Sequence, residues 1–466
     1  MNCVLLLPDG VGARNFLLGK FLVRLKERGS RAHALHVIPD QMIKKLDPGL
    51  NGSLGWSRLR PYKHRPISLA LEYSLSYAQM YWADTQAMRY LRDWPIKGSL
   101  RHRAVVHTAK AVGRLAASRA GIRRLDNWHC SSVRSTELVA EYRKSFEQIR
   151  PNVIFCSHQR PPDVLPPVLA AKELGIPTAT FIFSWDNLSS KGRIAAPFDH
   201  YLVWSDLMRR EMTKYYPDVD PSRVHIVGTP QFDPYGDPSL LWSREEFFSR
   251  IGADPSRSLI CYSGGDTRTC PDDPAHVSIL MGLIRDGKIA GNPQVVVRPA
   301  PVDDGTRYAN TRQTYPEMLF SQPAWLHTTP NDWTRVIPTH EDLKILANLT
   351  HHADLNVNLG STMTLDFAIH DKPVVNVAFD VSNPPVFGKP VWEFFYRFEH
   401  YLPVVQFGAA RFARSPLEMA EHVNAYLANP ALDRDGRRRL VDLQVGAPIG
   451  TSSDRVIDVL EQIALQ

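Results

Sequence analysis

The residues best suited to chemistry lie in the stretch Ala353-Asp-Leu-Asn-Val-Asn-Leu-Gly-Ser-Thr-Met-Thr-Leu-Asp-Phe-Ala-Ile-His-Asp-Lys-Pro-Val-Val-Asn-Val377. An apolar strand runs into Gly360, and Ser361 and Thr362 open a helix whose free N–H groups and dipole favour an anion. Thr362 and Asp366 are four residues apart, so hydroxyl and carboxylate share one helical face. That pattern suits a nucleotide, with amide and hydroxyl donors for a diphosphate and a carboxylate one turn on for ribose hydroxyls. The same residues also read as an ordinary N-cap followed by a solvated helix charge.

Three further stretches end strands in groups able to meet a ligand. Leu259-Ile-Cys-Tyr-Ser-Gly264-Gly265-Asp266 closes a strand in a flexible loop whose backbone can approach a phosphate. Val295-Val-Val-Arg298 ends in a guanidinium before Pro299-Ala-Pro301, and suits either a phosphate or a surface ion pair. Asn331 to His340 follows as a loop placed to line a base pocket. In the first half, Phe181-Ile-Phe-Ser-Trp-Asp186-Asn-Leu-Ser-Ser-Lys191-Gly192 combines an aromatic, a carboxylate and an ammonium after a strand, which is poor packing material and good site material. A turn stabilised by Asp186 and Asn187 has the same pattern. His158, after the strand Val153 to Cys156, and Asp9, after the first strand, sit at equivalent ends. No GxSxG, HExxH or GxxxxGK[ST] motif occurs, against serine hydrolase, zinc protease and P-loop chemistry.

The elements that must position these groups alternate between strand and helix. Cys3 to Leu7 reads as a buried strand, Phe16 to Gly29 as a helix closed by glycine, and His33 to Ile38 as a second strand. Alternation resumes from Ser135, reaches the Gly- and Pro-rich segment Gly228 to Pro238, and begins again at Leu259. The pattern predicts two α/β domains, each with a parallel sheet whose ligands collect at the carboxyl ends of the strands. With 466 residues, two domains is the default count.

Composition excludes other classes. With 44% hydrophobic and 22% charged residues, disorder, collagen and coiled coil fall away. No apolar run reaches the roughly 20 residues a membrane span needs, and the start lacks a basic n-region, so a cytosolic location is expected. Five scattered cysteines without CxxC spacing argue against a disulfide framework or a zinc knuckle. The net charge of +7 is unevenly spread. Between Gly55 and Leu125 stand 14 Lys and Arg against Glu72, Asp84 and Asp93, a local charge of +11 that leaves −4 for the remainder. This segment interrupts the alternation as a basic, aromatic-rich helical insertion at about 55–125. Arg101, Arg103, Arg114 and Arg119, with Lys191, are its candidate contacts to anionic lipid headgroups or a phosphate-bearing or acidic acceptor. The alternative is a solvated basic face.

The succession Tyr201-Leu-Val-Trp-Ser205, Val224-His-Ile-Val-Gly-Thr-Pro-Gln-Phe-Asp233, Val297-Arg-Pro-Ala-Pro301, Asp354 to Asp366 and Lys372-Pro-Val-Val-Asn376 resembles bacterial surface-polysaccharide glycosyltransferases of the GT-B fold. It is also similar to CDP-glycerol glycerophosphotransferases and non-hydrolysing UDP-N-acetylglucosamine 2-epimerases, mainly over residues 150 to 460. The resemblance implies two facing Rossmann-like domains with a cleft between them. Residues 1–232 would take the acceptor, 233–452 the nucleotide-sugar, and 453–466 would form a C-terminal helix. Diphosphate would lie at Ser361 and Thr362 with Gly264, Gly265 and Arg298, and ribose at Asp366. Many relatives carry His where this chain has Ala300, and Glu where it has Asp366.

The implied chemistry is metal-independent glycosyl transfer, with the nucleotide-sugar as co-substrate and no cofactor. A saccharide or lipid-linked acceptor would be used, in the cytoplasm or peripherally at the inner membrane. In an inverting reaction Asp186 is the first-choice base, with Asp9 and His158 behind it; a retaining reaction needs none. Epimerase or glycerophosphotransferase activity on the same fold is the alternative. A nucleic-acid binder is a further one, weakened by the lack of any recognised DNA or RNA motif, so no nucleic-acid partner is expected.

Overall fold

The computed structural model describes residues 1–40, 43, 54–327, 336–386 and 388–466. Of the loop Asn331 to His340 read above, residues 331–335 lie outside the described residues. The chain divides into two compact units, Met1–Pro230 together with Gly446–Gln466, and Gln231–Val445.

In the first unit, short apolar runs bounded by turns give seven parallel strands: β1 (Asn2–Leu7), β2 (Arg31–His36), β3 (Leu54–Arg58), β4 (Val153–Cys156), β5 (Thr178–Phe181), β6 (His200–Val203) and β7 (Val224–Ile226). The spatial order is β3-β2-β1-β4-β5-β6-β7. Central β1 carries Cys3 to Leu7, all buried, as continuous hydrophobic runs in parallel sheets require. The order reverses direction between β1 and β4, which makes the loops after these two strands the natural crevice for a ligand. Asp9 caps the helix α1 (Gly10–Phe16), and α2 (Phe21–Glu27) ends at Gly29, whose φ of 71° suits glycine at a helix end. The last helix, Ser452–Ala464, belongs to this unit; Arg28 binds its Asp454 at 3.1 Å and its Glu461 at 3.3 Å.

The basic segment differs from its expected all-helical form. Leu54–Arg58 pairs in parallel with β2 as the sheet's edge strand, so the helical part begins later, as α3 (Pro66–Ala83), α4 (Gln86–Asp93), α5 (Leu100–Leu115) and α6 (Arg119–Arg134). Helices α5 and α6 both pack on α3. At Gly113 the α5 backbone comes so near α3 that a Cβ would lie 2.8 Å from the Ala78 amide nitrogen.

The second unit carries a six-stranded parallel sheet made of β8 (Leu259–Ser263), β9 (Gln294–Arg298), β10 (Leu319–Phe320), β13 (Leu355–Asn358), β14 (Val374–Val377) and β15 (Arg411–Ala413). A separate antiparallel pair, β11 (Leu326–His327) and β12 (Val336–Ile337), lies between β10 and β13 in the chain. The sheet order is β10-β9-β8-β13-β14-β15. Direction reverses between β8 and β13, so the loops holding Gly264–Gly265 and Gly360–Thr362 flank the second switch point.

Candidate functional site

At the first switch point the loops after β1 and β4 bring Asp9 and His158 together. One Asp9 oxygen accepts the Gly12 N–H at 2.9 Å, and the other is hydrogen-bonded to His158 Nδ1. Gly12 is required there, because a Cβ would lie 2.2 Å from Ser157 Oγ. Burial by itself would raise the Asp9 carboxyl. The His158 charge and hydrogen bond, with the N–H groups of Gly12 and Val11, outweigh burial and hold it below its ordinary value. A carboxylate at Nδ1 fixes that proton and leaves the Nε2 lone pair as the basic atom. Nε2 is buried and has no hydrogen-bond partner among the described residues. The ring lies 4.8 Å from that of Phe183, which limits its rotation.

Asp186 is held within its own loop. Its carboxylate accepts from Ser190 Oγ at 2.5 Å and Asn187 Nδ2 at 3.1 Å, and Lys191 Nζ stands 3.5 Å away. It closes its own turn and engages Lys191, as the alternative reading of that loop allowed. Gln159 ties this loop to the one after β4, donating to Asn187 Oδ1 at 2.9 Å and accepting from the Phe183 N–H at 3.1 Å. Beyond it stands Arg160, exposed and close enough to Asp186 and Asp9 for their charges to act on it. Sequence reading passed over this guanidinium because only the fold sets it beside the two carboxylates.

At the second switch point the two glycines already spend their amides. Gly264 donates to the Arg298 carbonyl at 2.9 Å and Gly265 to Asp273 Oδ2 at 2.8 Å. They are glycine because a Cβ would lie 2.5 Å from Tyr308 Oη or 2.4 Å from Cys270 Sγ. Close packing, rather than phosphate contact, accounts for both. Fully buried Asp273 also accepts from Tyr262 Oη at 2.7 Å and Arg307 Nη2 at 3.0 Å, and burial raises its carboxyl despite that arginine.

Arg298 forms a buried pair instead of a surface one. It is 5% exposed, and its Nη2 reaches both oxygens of Asp342 at 2.8 and 2.9 Å. Trp325 Nε1 and the Ala324 N–H bind the same carboxylate at 2.6 and 2.8 Å. Arg298 Nη1 is buried and has no partner among the described residues. Asp366 is likewise inside the fold, 2% exposed, and accepts the Tyr235 hydroxyl. The ribose role expected of it meets a carboxylate already turned inward, because the helix face it shares packs on the segment around Tyr235.

Ser361 and Thr362 keep donors. Gly360, at φ 63°, turns the chain off β13. Ser361 donates its N–H to Asn358 Oδ1 at 3.0 Å, and its Oγ accepts from Met363 at 3.2 Å. Thr362, the residue before the Met363–Ile369 helix, makes no side-chain cap bond. Beneath this turn lies a buried polar network that sequence reading missed. Asn356 Nδ2 binds Ser263 Oγ at 2.7 Å, Asn358 binds Thr364 Oγ1 at 3.1 Å, and Tyr401 Oη joins Thr364 at 2.8 Å and Asn376 at 3.0 Å. The asparagines alternating with apolar residues in Leu355–Asn358 are the signal that pointed to it.

Of the basic residues, Arg101, Arg103 and Arg114 are exposed on α5, whereas Arg119 pairs with Asp218.

Neither a family model nor a curated protein sequence matches the chain. Solved structures do. The UDP-GlcNAc 2-epimerase from Methanocaldococcus jannaschii has a TM-score of 0.51 at 10% identity, covering 99% of this chain and 100% of that one. The UDP-GlcNAc 2-epimerase from Neisseria meningitidis bound to UDP-GlcNAc has 0.50 at 8%, over 99% and 100%. A glycosyltransferase from Rickettsia africae has 0.50 at 10%, over 99% and 98%. At these identities the likeness shows the fold, and the two parallel-sheet α/β units are of the GT-B type, as expected.

Proposed function

We propose that this chain is a glycosyltransferase that moves a sugar from a nucleotide-sugar to a saccharide or lipid-linked acceptor in bacterial surface polysaccharide or glycoconjugate biosynthesis. The observation carrying this reading is the Asp9–His158 pair at the first switch point, with a basic nitrogen, Nε2, left without a partner. In this reading His158 is the catalytic base and Asp9 the residue that positions it, in place of Asp186. Nε2 takes the proton of an acceptor hydroxyl. The oxygen then attacks the anomeric carbon, and the bond to the donor phosphate breaks with its electron pair on the departing nucleotide. Within the second unit, Thr362 and the Ser361 hydroxyl are the donors assigned to a nucleotide's phosphates. The fold shared with an enzyme solved with UDP-GlcNAc, and with one named a glycosyltransferase, supports a nucleotide-sugar as substrate.

Epimerisation is the second reading, favoured by the names of two of those structures. Incubation with nucleotide-sugars and no acceptor, followed by proton NMR, separates the two. Glycosyl transfer predicts an unchanged sugar, and rapid appearance of a C2 epimer overturns it.

A further inference from the structure

Helix α5 presents to solvent a face that a water-facing helix does not need. Its inward side is Val106, Ala109 and Gly113, all buried, with Gly113 against α3. On the opposite side Leu100, Ala104, Ala111 and Leu115 recur at spacings of four, seven and four, which aligns them in one stripe. Leu100 is 81% and Leu115 89% exposed, the latter level with Leu465 as the most exposed large apolar side chains among the described residues. Arg103, His107 and Arg114 each follow a stripe residue by three positions, so a basic row runs beside the apolar one. Arg101 stands on the other flank of the stripe, and no acidic residue occurs anywhere in the helix. Among the described residues Arg101, Arg103 and Arg114 have no ion-pair partner, unlike Arg119, which pairs with Asp218. Elsewhere Trp94, and Trp128 on α6, are 43% and 56% exposed. No helix among the described residues is long and apolar enough to cross a membrane.

We infer that the outward face of α5 docks on an anionic lipid bilayer, with Leu100 and Leu115 entering the headgroup boundary and Arg101, Arg103 and Arg114 meeting lipid phosphates. An apolar stripe beside unpaired cations is the pattern of a helix lying in a membrane interface. A nucleic acid would use the cations and leave the leucines in water, so the leucines decide for lipid. The surface stands apart from the glycosyl-transfer reading, and its test does not use activity.

The test is co-sedimentation of the full chain with phosphatidylcholine vesicles, with and without 30% phosphatidylglycerol. Binding to the anionic vesicles alone, weakened as salt rises, is expected. The variant R101Q/R103Q/R114Q should partition roughly 100-fold less, at about five-fold per cation near the surface. The variant L100S/L115S should also lose most binding, while Leu417→Ser, an exposed leucine of the second unit, should not change it. Circular dichroism checks that each variant is folded, as exposed positions permit. No binding by the wild type, equal binding to both vesicle types, or binding unaffected by L100S/L115S overturns the inference. So does saturable binding to single-stranded RNA at about 150 mM salt that survives L100S/L115S and exceeds vesicle binding.

Discussion

His158 Nδ1 and Asp9 Oδ2 are hydrogen-bonded partners 149 residues apart in sequence, delivered by two adjacent strands of one sheet. The pair makes one nitrogen a fixed donor and the other a base. If His158 deprotonates an acceptor, His158→Ala lowers kcat by about 10²- to 10⁴-fold, the usual share of a positioned base. Nucleotide affinity stays as in the wild type. Asp9→Asn, which can still cap α1, lowers kcat less. Steady-state kinetics with calorimetric nucleotide binding checks both.

Glu72 gives the helical insertion a pH dependence. Burial, helped by the charge of Asp163, pushes its carboxyl from 4.5 up to about 7, with His64 Nδ1 3.1 Å away. The folded state therefore holds a proton that the unfolded chain releases near pH 4.5. The associated stability is complete below that pH and lost as pH rises through about 7. Glu72→Gln should change Tm little at pH 5 and raise it at pH 8, by the equivalent of about 2–3 kcal/mol. Thermal melts at the two pH values test the sign.

Arg298 and Asp342 form a buried ion pair, so removing one partner strands the other. Arg298→Ala should destabilise the second unit by about 3–5 kcal/mol. A denaturant titration followed by the fluorescence of Trp325, whose Nε1 binds Asp342, reports it locally. Stability within about 1 kcal/mol of wild type would contradict the pairing.

Thr364 links Asn358 on β13 to Tyr401. Thr364→Val keeps the shape and removes the hydroxyl, leaving buried polar atoms unmatched at a cost of about 1–3 kcal/mol. Because the network lies under Ser361 and Thr362, nucleotide affinity should fall as well, which calorimetry measures.

Strand and helix alternation was legible where an apolar run ended in Gly, Pro or a capping residue, as from Leu355 to Thr362, whereas the single helix read over Phe16 to Gly29 is two, Gly10–Phe16 and Phe21–Glu27. Strand β3 was not legible, because Leu54–Arg58 carries Gly55 and a terminal arginine into a basic stretch, and only pairing with β2 makes it a strand. Chemistry at the strand ends was visible as residue type but not as partnership. Asp9 and His158 were each read singly, since sequence carries no sign of which loops a parallel sheet brings together. Arg298 and Asp366 were read as ligand groups because a charge after a strand or on a helix is normally exposed. Asp342 and Tyr235, distant in sequence, are the partners that the fold brings to them.

The account rests most heavily on a nucleotide-linked sugar as substrate. Thermal-shift titration of the full chain with UDP, GDP, TDP, CDP and CMP tests this directly, because a ligand that binds only the folded state stabilises it by about 2.7 kcal/mol at a hundred times Kd. One of the five should raise Tm saturably, and a Thr362 variant should weaken the effect. Five flat titrations at millimolar nucleotide would contradict it.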